Sequence, residues 1–196
     1  MTITAIVLAA GASRRMGRPK LLLPYRSTTL LGATVAAAAS STVDRVIIVA
    51  GAETARAASS LADRRVDVVE NPDPARGNMS SLMAAIDTDR RASYFVVTAG
   101  DLPTMTSAAI DAVADVARTE QPWAAVTTYR DRIAHPFVLS RAAADELDHL
   151  EGSKVLWRVL VEDGDPRVRR VTIDASAPVD INTPAQYADL LRDTAD

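Results

Sequence analysis

The sequence predicts an α/β fold: a Rossmann-like three-layer α/β/α domain on a mostly parallel sheet, one unit over residues 1–196. Three observations carry this. Short runs rich in Val and Ile alternate with longer alanine-rich stretches for most of the chain, and strands that alternate with helices build parallel crossover units. The runs are apolar at nearly every position, the pattern of strands buried on both faces. The first run ends in a glycine-containing loop, and open sheets of this class take ligands beyond the carboxyl ends of their strands.

Residues 3–9 form the first expected strand. Residues 29–40 read as a helix, 45–50 as a strand, 53–62 as a helix and 66–69 as a strand. Asn71-Pro72-Asp73-Pro74 is a loop, because each proline disfavours helix in the residue before it. Residues 80–87 are helical, and the strand 94–98 ends in Ala99-Gly100-Asp101-Leu102-Pro103. Thr106 and Ser140 are helix caps, for helices reaching to about 117 and over 141–150. Strands are expected at 123–128, 133–139 and 168–173, and a helix over 154–162. Thr183-Pro184 opens the last helix, with proline at its first position. Residues 193–196 are expected to fray.

Composition removes several function classes. Net charge is −3, so any phosphate binding is local and nucleic acid is not an expected partner. The chain has no cysteine, which excludes disulfides and thiolate metal sites and fits a reducing compartment. Two histidines do not make a multi-histidine zinc site. No stretch is long and apolar enough to span a bilayer, and the apolar start lacks a basic leader. The expected location is the cytoplasm, with no membrane partner.

The first loop carries the densest chemistry. Gly11 and Gly17 let backbone approach a ligand, and consecutive backbone N–H groups in such a loop make an anion-binding hollow. Ser13 adds a hydroxyl. Arg14, Arg15, Arg18 and Lys20 add positive charge, arginine as a bidentate fork and lysine as a point charge. Composition alone reads equally as a solvated basic turn. The loop is neither a Walker A sequence nor G-x-G-x-x-G. Asp101, at a strand end on the same sheet edge, suits either a turn aspartate or a Mg2+ ligand, since Mg2+ takes one or two carboxylates plus substrate phosphates.

Leu8-Ala9-Ala10-Gly11, Ser13, Arg15-Met16-Gly17 and Lys20 together resemble the signature of the nucleotidyltransferases related to molybdenum-cofactor cytidylyl- and guanylyltransferases. The resemblance runs over residues 3–191 and is densest in this loop. It implies a nucleotide-diphospho-sugar transferase-like fold in which the loop, Leu8 to Lys20, wraps a triphosphate while Arg15 and Lys20 stabilise its charge. Ala9-Ala10 is similar to the cytidylyltransferase branch, so CTP is the implied donor. Gly100-Asp101-Leu102-Pro103 matches the metal-binding segment, which makes Asp101 a catalytic Mg2+ ligand. Val179-Asp180-Ile181-Asn182-Thr183-Pro184 resembles a segment whose aspartate lies near the metal, and Asp180 is either that second ligand or a turn residue. Asn71, Ser80 and Ser81 are implied nucleotide contacts. His135, in Ala134-His135-Pro136, faces the acceptor or packs at a strand end.

One segment departs from the pattern. Where such enzymes often read Gly-Asp-x-Gly-Ala-Arg, this chain reads Gly152-Ser153-Lys154-Val155-Leu156-Trp157-Arg158. The implied reaction is transfer of CMP from CTP to a molybdopterin-type acceptor, with pyrophosphate released and a molybdenum hydroxylase as the client enzyme. Guanylyl or sugar-nucleotide transfer is one alternative. A non-catalytic molybdenum-cofactor chaperone, suggested by the altered segment, is the other.

Overall fold

A computed structural model describes residues 1–11, 16–150 and 154–193. In chain order the elements are β1 (Ile3–Ala9), a 3-10 turn (Lys20–Leu22), β2 (Pro24–Tyr25), β3 (Thr28–Thr29), α1 (Leu30–Ala39), β4 (Arg45–Ala50), α2 (Ala55–Ser59) and β5 (Val66–Glu70). A second 3-10 turn (Pro74–Arg76) leads into α3 (Asn78–Thr88), then β6 (Tyr94–Ala99), α4 (Ser107–Glu120), β7 (Ala124–Thr128), β8 (Ile133–Ser140) and α5 (Arg141–Leu147). After α6 (Val155–Trp157) the helix continues with π geometry over Arg158–Glu162, followed by β9 (Val168–Thr172) and α7 (Pro184–Asp193).

Seven strands form the main sheet in the order β5-β4-β1-β6-β8-β7-β9. All neighbours are parallel except at β8, which runs against both β6 and β7. The expected mostly parallel sheet is therefore present. The reversal of β8 matters for function, because its first residues emerge at the edge where the parallel strands end.

Period-two alternation sends β1 into two cores. Ile3, Ala5, Val7 and Ala9 lie in one with Val35 and Ala38 of α1 and Ile110 and Val113 of α4. Ile6 lies in the other, with Leu82 and Ile86 of α3, Ala144 of α5 and Leu156 of α6. Both faces are covered, as continuous apolar strands require, and each fully buried Ile or Leu contributes about 1.5–3 kcal/mol. A smaller cluster of Met16, Leu23, Tyr25, Leu30, Ile181 and Leu190 docks α7 on the β2–β3 hairpin and α1. Tyr187 Oη fastens it by donating to the Pro24 carbonyl at 2.6 Å.

Thr29, Thr106 and Ser140 cap α1, α4 and α5 by accepting from the amides of Gly32, Ala109 and Ala143. The helix expected over 53–62 shrinks to α2 because Thr54 spends its hydroxyl on the neighbouring strand ends. It accepts from Gly51 N–H and donates to the Ala9 carbonyl. α5 ends at Leu147, its last buried residue, ahead of the expected 150. The β2–β3 hairpin was not expected from the sequence. Among the described residues no helix is long and apolar enough to cross a membrane.

Candidate active site

The carboxyl ends of β1, β4, β5, β6 and β7 and the start of β8 meet at one edge of the sheet. Leu8 and Ala9 close β1 there, with Ala9 fully buried. Its carbonyl accepts from Thr54 Oγ1 at 2.8 Å, which ties the root of the first loop to the strand beside it. Ala10 lies against Gly51, where a Cβ would sit 3.1 Å from the Ala10 carbonyl oxygen and 3.2 Å from its Cα. Only glycine lets these two loops approach so closely. Gly11 is exposed, and Gly17 turns the chain at φ +64°, in the left-handed region. Ser13 and Arg15 lie outside the described residues.

Lys20 ends the loop in the 3-10 turn that follows Pro19. Its Nζ donates to Asp101 Oδ2 and, at 3.1 Å, to Asn182 Oδ1. Asn182 Nδ2 in turn donates to Asp180 Oδ2 at 2.6 Å. The side chains of Lys20 and Asp101 are 14% and 13% exposed, so water screens this pair weakly. The backbone helps to join the segments, with Ile181 N–H donating to the Asp101 carbonyl at 3.3 Å. Lys20, Asp101 and Asp180 are thus brought together as the sequence suggests.

The Asp180 carboxyl titrates above the usual carboxylate range. Partial burial is the main cause and the adjacent Asp101 carboxylate the next, with the Asn182 amide and Lys20 only partly opposing them. Among the described residues two carboxylates face one ammonium, a surplus of negative charge that a divalent cation would relieve. Among the described residues no group of three or more His, Cys, Asp or Glu could hold a metal. A pair suffices for an ion that completes its shell with phosphate oxygens and water.

The third part of the edge is the start of α3. Asn71 is buried, and its amide donates to Ser80 Oγ and Ser81 Oγ, both at 2.9 Å. Its carbonyl oxygen accepts from Asp73 N–H, and Ser80 Oγ donates to the Gly77 carbonyl at 2.8 Å. The three side chains expected to touch nucleotide are thus bonded to one another. They set the loop ahead of α3, whose N-terminus has no side-chain cap. What this corner offers an anion is the backbone N–H groups of the first turn.

His135 stands at the start of β8. Its Nδ1 lies 3.2 Å from the Val97 carbonyl oxygen. A carbonyl cannot donate, so Nδ1 carries the proton and Nε2 is left with a lone pair. Burial pulls the imidazole below its ordinary value, against smaller upward pulls from the Val97 carbonyl and the Asp101 charge; the ring is neutral near pH 7. Tyr129 Oη donates to the His135 carbonyl at 2.9 Å, and burial pushes that phenol up to about 12. Asn182 is the site residue that sequence reasoning missed. It stands two positions from Asp180, a spacing that puts side chains on one side of an extended chain.

The family model described as the MobA-like NTP transferase domain matches residues 5–168. The molybdenum cofactor cytidylyltransferase of Escherichia coli (strain K12) is 29% identical over 140 residues, covering 71% of this chain and 70% of that protein. The nicotine blue oxidoreductase of Paenarthrobacter nicotinovorans is 32% identical over 102 residues, covering 52% of this chain and 50% of the relative. The crystal structure of Rv0371c from Mycobacterium tuberculosis H37Rv is 35% identical, covers 98% of each chain and superposes with a TM-score of 0.84. The same mycobacterial protein has been solved in complex with manganese, at 34% identity, 98% and 99% coverage and a TM-score of 0.82.

Proposed function

The chain belongs to the MobA-like NTP transferase family, and from that premise we propose that it transfers CMP from CTP to a molybdopterin-type acceptor and releases pyrophosphate. One observation supports this above the others. The cation that closes the glycine loop, Lys20, is bonded to Asp101 and Asn182, with Asp180 alongside. A triphosphate in the loop would thus lie against the carboxylates that hold its counter-ion.

The chemistry asks little covalent work of the protein. An acceptor phosphate oxygen attacks the α-phosphorus in line; that P–O bond forms as the bond to the bridging oxygen of the β-phosphate breaks. Positioning and charge neutralisation carry the rate. Lys20 turns from Asp101 toward the departing pyrophosphate, and Arg15 takes the same role from the loop. The first-turn amides of α3, set in place by Asn71, Ser80 and Ser81, donate to phosphate oxygens. Asp101 and Asp180 would hold a divalent ion, Mg2+ by this proposal, which would supply charge neutralisation to the phosphates; the manganese complex of the mycobacterial relative lends support. His135 borders the acceptor. The reading places the reaction in the cytoplasm and its product with a molybdenum hydroxylase.

The test is pyrophosphate release from CTP, GTP, ATP and UTP, each with Mg2+ and a molybdopterin-type acceptor. CTP is expected to lead. Release from GTP alone would move the assignment to guanylyl transfer, and silence with all four would remove it.

A further inference from the structure

Where β1 and β4 run out, a side chain takes the place of the next backbone rung. The parallel ladder between them ends at Ala9 and Ala50. The Ala50 carbonyl faces β5, since it accepts from Asn71 N–H. The groups that would make the following β1–β4 bond are therefore the Ala9 carbonyl and Gly51 N–H. Thr54 Oγ1 bridges them, accepting from Gly51 N–H at 3.0 Å and donating to the Ala9 carbonyl at 2.8 Å. The Gly51 carbonyl is a rival acceptor at 3.2 Å. It already accepts from the amides of Thr54 and Ala55, and a hydroxyl has one proton to give, so the shorter bond to Ala9 takes it.

This hydroxyl is drawn away from its own helix. Thr54 stands at the cap position of α2 and makes no side-chain cap there, although threonine favours that role. It is 3% exposed, so water does not compete for its bonds. A local preference given up in this way marks a residue that serves something else.

What it serves is the direction of one peptide plane. In a planar trans peptide the carbonyl and the N–H that follows point to opposite sides. Holding the Ala9 carbonyl toward β4 turns Ala10 N–H toward β6, the neighbour on the other side of β1, which ends just ahead of Gly100-Asp101. Ala10 has little room to turn back, because its backbone packs against Gly51 too closely for any Cβ there.

We propose that Thr54 is a positioning residue for the nucleotide: through the Ala9 carbonyl it fixes the first peptide of the glycine loop, so that Ala10 N–H is aimed at a phosphate oxygen on the β6 side. This rests on the nucleotidyl-transfer reading, which puts a triphosphate in that loop.

Thr54→Val keeps the shape and removes the hydroxyl. By calorimetry with Mg2+ it should bind CTP about tenfold more weakly or worse at unchanged stoichiometry, the loss of one hydrogen bond to a charged group. Its KM for CTP in pyrophosphate release should rise by the same factor. Thr54→Ser retains the donor and acceptor and should stay within about threefold of wild type. Ala57→Gly weakens α2 without touching the Thr54 bonds and should leave both values within about twofold. Wild-type affinity in Thr54→Val, a Thr54→Ser as impaired as Thr54→Val, or an equal loss in Ala57→Gly each overturns the proposal. If Thr54→Val does not fold, the wild type still decides: CTP with Mg2+ should slow hydrogen exchange at Ala10 N–H by about tenfold or more, and unchanged exchange refutes the proposal. Thermal shifts separate the two readings. If no triphosphate with Mg2+ raises the melting temperature of the wild type, the nucleotidyl-transfer reading falls; if CTP raises it and the Thr54 variants behave otherwise than stated, this inference falls alone.

Discussion

Asp89 and Asp180 sit at opposite edges of the same sheet, and their carboxyls are shifted in opposite directions. At the amino edge, Asp89 is 7% exposed. Its burial pushes the carboxyl up, but the Thr4 hydroxyl at 2.7 Å, the amides of Arg91 and Ala92, and Arg45 outweigh that and hold it below the usual range. At the carboxyl edge, Asp180 has an amide partner and Lys20 nearby, yet burial and the Asp101 charge keep it above that range. A charge kept for stability is surrounded by more partners than it needs. A charge kept for binding, as we propose for Asp180, is left short of them until its ligand arrives.

The largest effect that would sharpen this contrast is on catalysis. Lys20→Ala should slow pyrophosphate release from CTP by about 100-fold or more, by analogy with removing one pre-organised charge-stabilising donor. Normal release would show that the carboxyl-edge cluster is not functional. Next comes stability at the amino edge, where Asp89→Asn should cost about 3 kcal/mol near pH 7 in urea unfolding. A carboxyl lowered in the native state contributes its full stability above its ordinary value and loses it as pH falls through the lowered one. The gap to wild type should therefore close in acid, and a gap constant from pH 7 to pH 3 would refute the ion-pair account. Thr4→Val removes only the hydroxyl donor and should cost about 1.5 kcal/mol. Asp180→Asn should cost least. The raised native value means that the ionised carboxylate disfavours folding at every pH above it, and the amide removes that penalty. Unfolding midpoints at pH 7 should be at or above wild type, and a loss like that of Asp89→Asn would erase the distinction between the clusters.

Much of the scaffold was legible because apolar runs report burial directly. β1, β4 and β6 stand where continuous Val and Ile runs place them, and Thr106 and Ser140 cap as their side-chain chemistry dictates. The reversal of β8 against β7 is implied by the four-residue link from Tyr129 to Arg132, too short for a parallel crossover. What was not legible is the insertion of β8 between β6 and β7, which is decided by tertiary pairing. At the site, Lys20, Asp101 and Asp180 were readable from motif resemblance, while Asn182 hid in a Thr-Pro turn context. A cavity beside His135 could not be read at all. Its walls come from four separated stretches, around Leu8, Asn78 to Leu82, His135 to Phe137, and Lys154 to Glu162, and no local pattern records their convergence.

Lys20 meets Asp101 across 81 positions and Asn182 across 162, which has a consequence for a chain still on the ribosome. The glycine loop emerges well before Asp180 and Asn182. Until those residues are released, a growing chain cannot assemble the four-residue cluster for which we propose triphosphate and ion binding. On that proposal substrate cannot guide the early steps of folding. Competence arrives at once, when the segment around Asn182 docks onto Lys20.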